Sequence, residues 1–180
     1  MAEESRTSVL RRARPRDADA LARLERAAFV GCYAAHRFAA PQFAARLARP
    51  ASFAHVVEGR GRIVAYVLGV QGGGSRTHVA RLDSIAVDPR ARRRDLATRL
   101  VRAFLAAARR RGCTIASLEV AATNRAALAL FARHGFAITR RLPAYYSRTA
   151  AGLRMRRELA GRASRLTAAR RSRSPCRPPR

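Results

Sequence analysis

The chain has 180 residues and a formal net charge of +27, carried entirely by arginine since lysine is absent; that length suits one domain with a real core. Three cysteines (Cys32, Cys113 and Cys176) with no CxxC or Cys/His cluster argue against a disulfide framework or a zinc site. The start, MAEESRTSVLRRARPRD, lacks the apolar segment of a secretory signal, and the longest apolar run, IVAYVLGV, falls short of the ~20 residues a membrane span needs, so the expectation is a soluble cytosolic protein with no membrane partner.

In chain order, residues 8–13 read as a short strand. PRDADALARLERAAF reads as a helix, with Asp17 as N-cap or first-turn acid and Leu21, Leu24 and Ala28 at helical spacing. Residues 30–40 read as an irregular connection, and PQFAARLA as a short helix with Pro41 in its first turn. SFAHVVE and RIVAYVLGVQ are two strands joined by Gly59-Arg60-Gly61, a hairpin signal. QGGGSR is a flexible link to a third strand, HVARLDSIAV, which ends at Asp88-Pro89. From about Arg94 to Arg111, Leu96, Leu100 and Phe104 fall at i, i+4 and i+8, with Gly112 as the stop. TIASLEV is a buried-type strand, NRAALALFARHG a helix capped by Asn124, and FAITRRL and LRMRREL two closing strands. The order β-α-α-β-β-β-α-β-α-β-β predicts an α+β, or mixed α/β, domain over residues 1–160.

Residues 161–180 hold seven arginines, no acid and no aromatic residue. Such a segment buries too little surface to offset its ordering entropy and is expected to be a disordered basic tail. The charge has two readings: contact with nucleic acid or an acidic surface, or an arginine- and alanine-rich composition imposed by GC-rich coding.

Four stretches, correctly ordered and spaced, resemble the GNAT superfamily of acetyl-CoA-dependent N-acetyltransferases, and within it bacterial ribosomal-protein-alanine N-acetyltransferase-type sequences. LDSIAVDP is similar to the strand that pairs with the pantetheine arm. RRRDLATRL resembles the Arg/Gln-x-x-Gly-x-Gly/Ala pyrophosphate loop. LEVAATN matches the strand and helix start that carry the catalytic Glu and a cofactor-contacting Asn, and ALALFARHGF the closing Ala-x-x-Leu-Tyr-x-x-x-Gly-Phe. The resemblance covers roughly residues 8–158. It implies a mostly antiparallel mixed sheet of about seven strands with about four helices on its faces. It also implies acetyl-CoA as co-substrate, no metal, and a primary amine as acceptor, such as a protein N-terminus.

The same resemblance assigns backbone contacts with pantetheine to Ile85, Ala86 and Val87. It assigns the diphosphate contact to Arg92, Arg93, Arg94, Asp95, Leu96, Ala97 and Thr98, with Ala97 as the small residue that permits close approach. A helix N-terminus supports this physically, since its free N–H groups bind phosphate without side chains. Glu119 takes the position of the general base. Its strand neighbours are apolar and should partly desolvate it, which suits base work; an ion pair with one of the many arginines is the structural alternative. Asn124 is a helix cap and, by resemblance, a cofactor contact. Tyr145 and Tyr146 read either as phenols serving the chemistry and the acceptor groove or as loop aromatics packed on the core. The histidines (His36, His55, His78 and His134) show no metal or triad spacing.

Two positions depart from the pattern. Asp95 stands where the motif has its first glycine, so a Cβ and a carboxylate meet the diphosphate. At 5 Å and an effective dielectric of 20 the repulsion is about 3 kcal/mol per charge before screening. Pairing of Asp95 with Arg99 at i+4 would turn the carboxylate away. Phe131 stands where the family usually has Tyr to protonate the departing thiolate, and it is expected to line the cofactor site without that function. Beside the transferase reading stand a weakened or inactive member of the fold, motivated by these two positions, and a basic nucleic-acid-associated protein.

Overall fold

The computed structural model describes residues 8–73 and 78–159. The proposed tail at 161–180 and the second half of the Gly-rich link, residues 74–76, lie outside them. The elements are β1 (Val9–Arg12), α1 (Ala18–Ala28), α2 (Ala40–Leu47), β2 (Ser52–Gly59), β3 (Arg62–Gly72), β4 (Val79–Val87), α3 (Leu96–Arg110), β5 (Ile115–Ala121), α4 (Arg125–Arg133), β6 (Ala137–Ser147) and β7 (Ala150–Glu158). The seven strands form one sheet, ordered β1-β2-β3-β4-β5-β7-β6. Only β4 and β5 run parallel, joined by α3 as a crossover.

Both faces of the central strands are buried, which is why β2 and β3 read as continuous apolar runs rather than alternating ones. Phe53, Val57, Ala65 and Val67 point into one core, against Leu100, Val101 and Phe104 of α3 and Phe131 of α4. Ala54, Val56, Tyr66 and Leu68, at the alternate positions, point into the other, with Leu21 and Leu24 of α1 and Phe43 of α2. The β2–β3 hairpin turns through Arg60 and Gly61 with φ of 51° and 70°, the paired left-handed values of a type I′ turn. No helix among the described residues is long and apolar enough to cross a membrane.

The element order agrees with the expectation; several boundaries and contacts differ. The third long helix starts at Leu96 rather than Arg94, because Arg93 and Asp95 adopt left-handed backbone (φ 61° and 57°). The 30–40 connection contains a 3-10 helix, Gly31–His36. Asp17 sits at the N-cap of α1 without a side-chain cap bond there; its carboxylate takes Arg11 at 2.8 Å and the Arg14 N–H at 2.8 Å. Strand β6 extends to Ser147, beyond the expected Leu142, with its register against β7 broken between those residues. Ala144 there has φ 50°. Tyr145 and Tyr146 therefore lie on an irregular strand end rather than in a loop.

Candidate active site

The β4–β5 pairing covers Val79–Leu82 against Ile115–Leu118 only. Beyond that the two strands part. On its other side β4 stays paired with β3 through Val87, so the main-chain groups of its last residues that face away from β3 meet no strand. The cleft opens into a cavity of about 840 Å³. Ile85, Ala86 and Val87 form one wall. Phe29, Val30 and Tyr33 of the α1–α2 connection form the second, and Asn124, Leu130 and Phe131 of the α4 region the third.

The loop after β4 closes the remaining side. Asp88 Oδ1 accepts the Arg90 N–H at 2.9 Å and starts a short turn. The first i→i−4 bond of α3 runs from Arg99 N–H to Asp95 O at 3.1 Å, so the amides of Leu96, Ala97 and Thr98 have no helical acceptor. All three residues line the cavity, as do Arg92, Arg93 and Asp95. Arg94 does not; it lies beside a smaller cavity with Ser8, Gly59 and Arg60. The left-handed φ of Asp95 is the physical reason a glycine fits that position. The proposed Asp95–Arg99 pairing is not formed: the Arg99 guanidinium donates to Ser8 Oγ at 2.6 Å and Ser8 O at 3.1 Å. Asp95 itself remains in the cavity lining.

Glu119 stands apart from the cavity lining. It faces Arg154 of β7 in register, and Arg154 Nε donates to its Oε1 at 2.9 Å. The ion-pair alternative is thus realised, though Oε2 has no hydrogen-bond partner among the described residues. Asn124 caps α4 by accepting the Ala127 N–H at 3.1 Å. Its amide also donates to Tyr33 Oη at 3.1 Å. Phe131 is buried and packs edge-on against Phe136.

Tyr145 and Tyr146 do not line the cavity. They build an aromatic cluster with Tyr33 and His36. Tyr146 packs edge-on against Tyr33 (centroids 4.9 Å) and His36 (5.1 Å), and its carbonyl lies 3.1 Å from His36 Nε2. Tyr145 lies over Gly152, where a Cβ would come within 3.0 Å of its ring. Burial pushes the hydroxyl pKa of both tyrosines up, so both remain protonated at neutral pH.

The sequence reading missed Tyr33 and Glu25. Tyr33 sits in a segment without periodicity. Glu25 has a signal in the sequence: it is four residues after Leu21 and three before Ala28, on the apolar face of α1. It is 1% exposed. Its carboxylate accepts the Phe38 N–H at 3.1 Å and the Ser84 hydroxyl at 3.0 Å, and Tyr66 reaches Ser84 at 2.7 Å. The network ties the connection above the cavity to β4, and burial pushes the Glu25 carboxyl up to about 7.

The model of the acetyltransferase (GNAT) family matches residues 18–136. The chain belongs to the GNAT family. It is 34% identical over 116 residues to the N-terminal acetyltransferase B complex catalytic subunit NAA20 of Arabidopsis thaliana, covering 63% of this chain and 66% of that protein. It therefore spans just under two thirds of that relative's length. Among solved structures, Ard1 from Thermoplasma volcanium superposes with a TM-score of 0.72 at 26% identity, covering 86% of this chain and 99% of that one. The ribosomal-protein-S18-alanine N-acetyltransferase of Escherichia coli gives 0.73 at 22% identity, covering 87% and 97%. At that identity the likeness is one of fold. Among the described residues no cluster of three or more His, Cys, Asp or Glu could hold a metal ion.

Proposed function

We propose that this GNAT protein transfers the acetyl group of acetyl-CoA to a primary amine, with a protein N-terminal amine as the acceptor. The parting of β4 from β5, opening onto the free amides of α3, carries this reading. A CoA thioester has a diphosphate at one end and an amide-bearing pantetheine arm at the other. The Leu96–Thr98 amides with Arg92 and Arg93 suit the diphosphate. The open edge of Ile85–Val87 suits the pantetheine amides, and Asn124 and Phe131 flank the reacting end. The likeness to a protein named as an N-terminal acetyltransferase subunit supports the acceptor class.

An amine is protonated at neutral pH and must lose a proton before it attacks a thioester. Glu119 takes that proton, directly or through water, while the Tyr145–Tyr146 cluster lines the approach of the acceptor. Free thiols at Cys32 and Cys113 suit the reducing cytoplasm. A less efficient enzyme is the second reading, favoured by an acidic residue, Asp95, in the cavity lining with no ion-pair partner among the described residues and by the missing hydroxyl at Phe131.

The test is a thermal shift with acetyl-CoA followed by thiol release with a panel of peptides bearing free N-termini. Ligand at 100 times its Kd stabilises by about 2.7 kcal/mol, a clear shift in midpoint. No shift at millimolar acetyl-CoA, with the protein folded, refutes the transferase reading. A shift without thiol release for any peptide refutes the acceptor class.

A further inference from the structure

Phe131 has no proton to give, and neither Tyr145 nor Tyr146 reaches the cavity lining. Tyr33 does. Its hydroxyl oxygen accepts the Ala121 N–H at 3.0 Å and an Asn124 Nδ2–H at 3.1 Å. The orientation of the Asn124 amide is fixed, because its Oδ1 is already held by the Ala127 N–H at the start of α4. A phenol has two lone pairs and one proton. Both lone pairs of Tyr33 are engaged by donors that cannot reverse, so its hydrogen must point elsewhere. No described residue accepts it. Ala121 ends β5, three residues past the last β4–β5 pair, which puts this hydroxyl in the cleft between the strands. Phe29 and Tyr146 hold the ring edge-on at centroid distances of 5.4 Å and 4.9 Å.

From this geometry we infer that Tyr33 is the acid that protonates the departing CoA thiolate. The assignment rests on the transferase reading above. The amine lone pair forms the new C–N bond at the thioester carbonyl carbon. As the carbonyl re-forms, the C–S bond breaks and its electron pair goes to sulfur. Sulfur takes the Tyr33 Oη proton and leaves as the CoA thiol. The Ala121 and Asn124 N–H groups then serve the phenolate as they served the phenol. The proton lost by the amine passes through Glu119 to solvent, and solvent reprotonates Tyr33, so the cycle closes without a further reactant. A phenol absent from position 131 is thus supplied from the opposite wall.

The experiment compares wild type, Tyr33→Phe, Phe131→Tyr and the double variant. Acetyl-CoA affinity is measured by calorimetry and kcat by thiol release with the best peptide of the panel. Tyr33→Phe is expected to lower kcat about 10²-fold while acetyl-CoA affinity stays within about twofold. The double variant is expected to recover most of the loss, because position 131 then carries the phenol. Wild-type kcat in Tyr33→Phe overturns the assignment. So does a double variant as slow as Tyr33→Phe. Should Tyr33→Phe fail to fold, 3-fluorotyrosine at position 33 keeps both N–H partners while acidifying the phenol. The alkaline limb of kcat then moves to lower pH, and an unmoved limb overturns the assignment. A wild-type chain that binds no acetyl-CoA refutes the transferase reading itself, whereas these kinetic outcomes refute only the role of Tyr33.

Discussion

Glu119 on β5 and Arg154 on β7 stand opposite one another in the antiparallel register, and their side chains meet at 2.9 Å. The guanidinium engages Oε1 and holds the carboxylate in one orientation, which leaves Oε2 for an incoming proton. Glu119→Gln keeps the shape and removes the base. It should lower kcat about 10²-fold or more, with acetyl-CoA affinity unchanged because Glu119 lies off the cavity wall. Thiol-release kinetics and calorimetry check the two halves; wild-type turnover would remove Glu119 from the chemistry.

Asp95 combines two separable costs. Left-handed backbone costs a non-glycine residue roughly 1–2 kcal/mol, with Asp at the low end, and the carboxylate opposes a diphosphate. Asp95→Asn removes only the charge and should tighten acetyl-CoA binding about tenfold. Asp95→Gly removes both and should also raise the thermal midpoint without ligand. Calorimetry and thermal melts separate the effects; an Asn variant that binds no tighter means that the repulsion is already screened.

Glu25 makes stability depend on pH. Its ordinary pKa is near 4.5 and burial raises it to about 7 in the folded protein. Below 4.5 the group is protonated in both states. Between 4.5 and 7 the folded state keeps the proton that the unfolded state has lost, so stability falls as pH rises. The loss reaches about 3 kcal/mol above 7. Glu25→Gln should flatten this dependence and be more stable than wild type at pH 8, since its amide can donate to Ser84 while Ser84 donates to Tyr66. Denaturant midpoints at pH 5 and pH 8 decide it.

Gly69 sits where the β3–β4 register shifts. A Cβ there meets the Arg81 carbonyl oxygen and comes within 2.7 Å of Phe104 Cε2. Gly69→Ala should cost about 2–3 kcal/mol through overpacking of strand and helix, read as a lowered denaturant midpoint. An unchanged midpoint would mean that the strand moves away at no cost.

The order of elements was legible because each carries its own period or punctuation: Leu96, Leu100 and Phe104 for α3, the Gly59-Arg60-Gly61 turn for the hairpin, and Asn124 for the cap. The loop before α3 was legible only through its motif, and its two left-handed residues postponed the helix by two positions. Tyr145 and Tyr146 were visible as residues but not as a strand end, because the irregularity around Ala144 interrupts any alternation. Tyr33 was not legible. It acts through the Ala121 amide and the Asn124 side chain, about ninety positions away in the chain, and no local pattern encodes such a meeting. Glu25 could have been noticed, since a lone acid on an apolar helix face demands buried partners.

The divergence of β4 from β5 also bears on which mutations this chain can absorb. Every amino acid except proline brings the same N–H and C=O to the rim of that gap. Exchange of the half-buried Ile85 or Val87 among aliphatic side chains leaves those groups in place, whereas an imino acid erases a donor outright. This stretch can therefore drift in spelling while its use persists, and proline is the substitution that lineages keeping the activity should avoid.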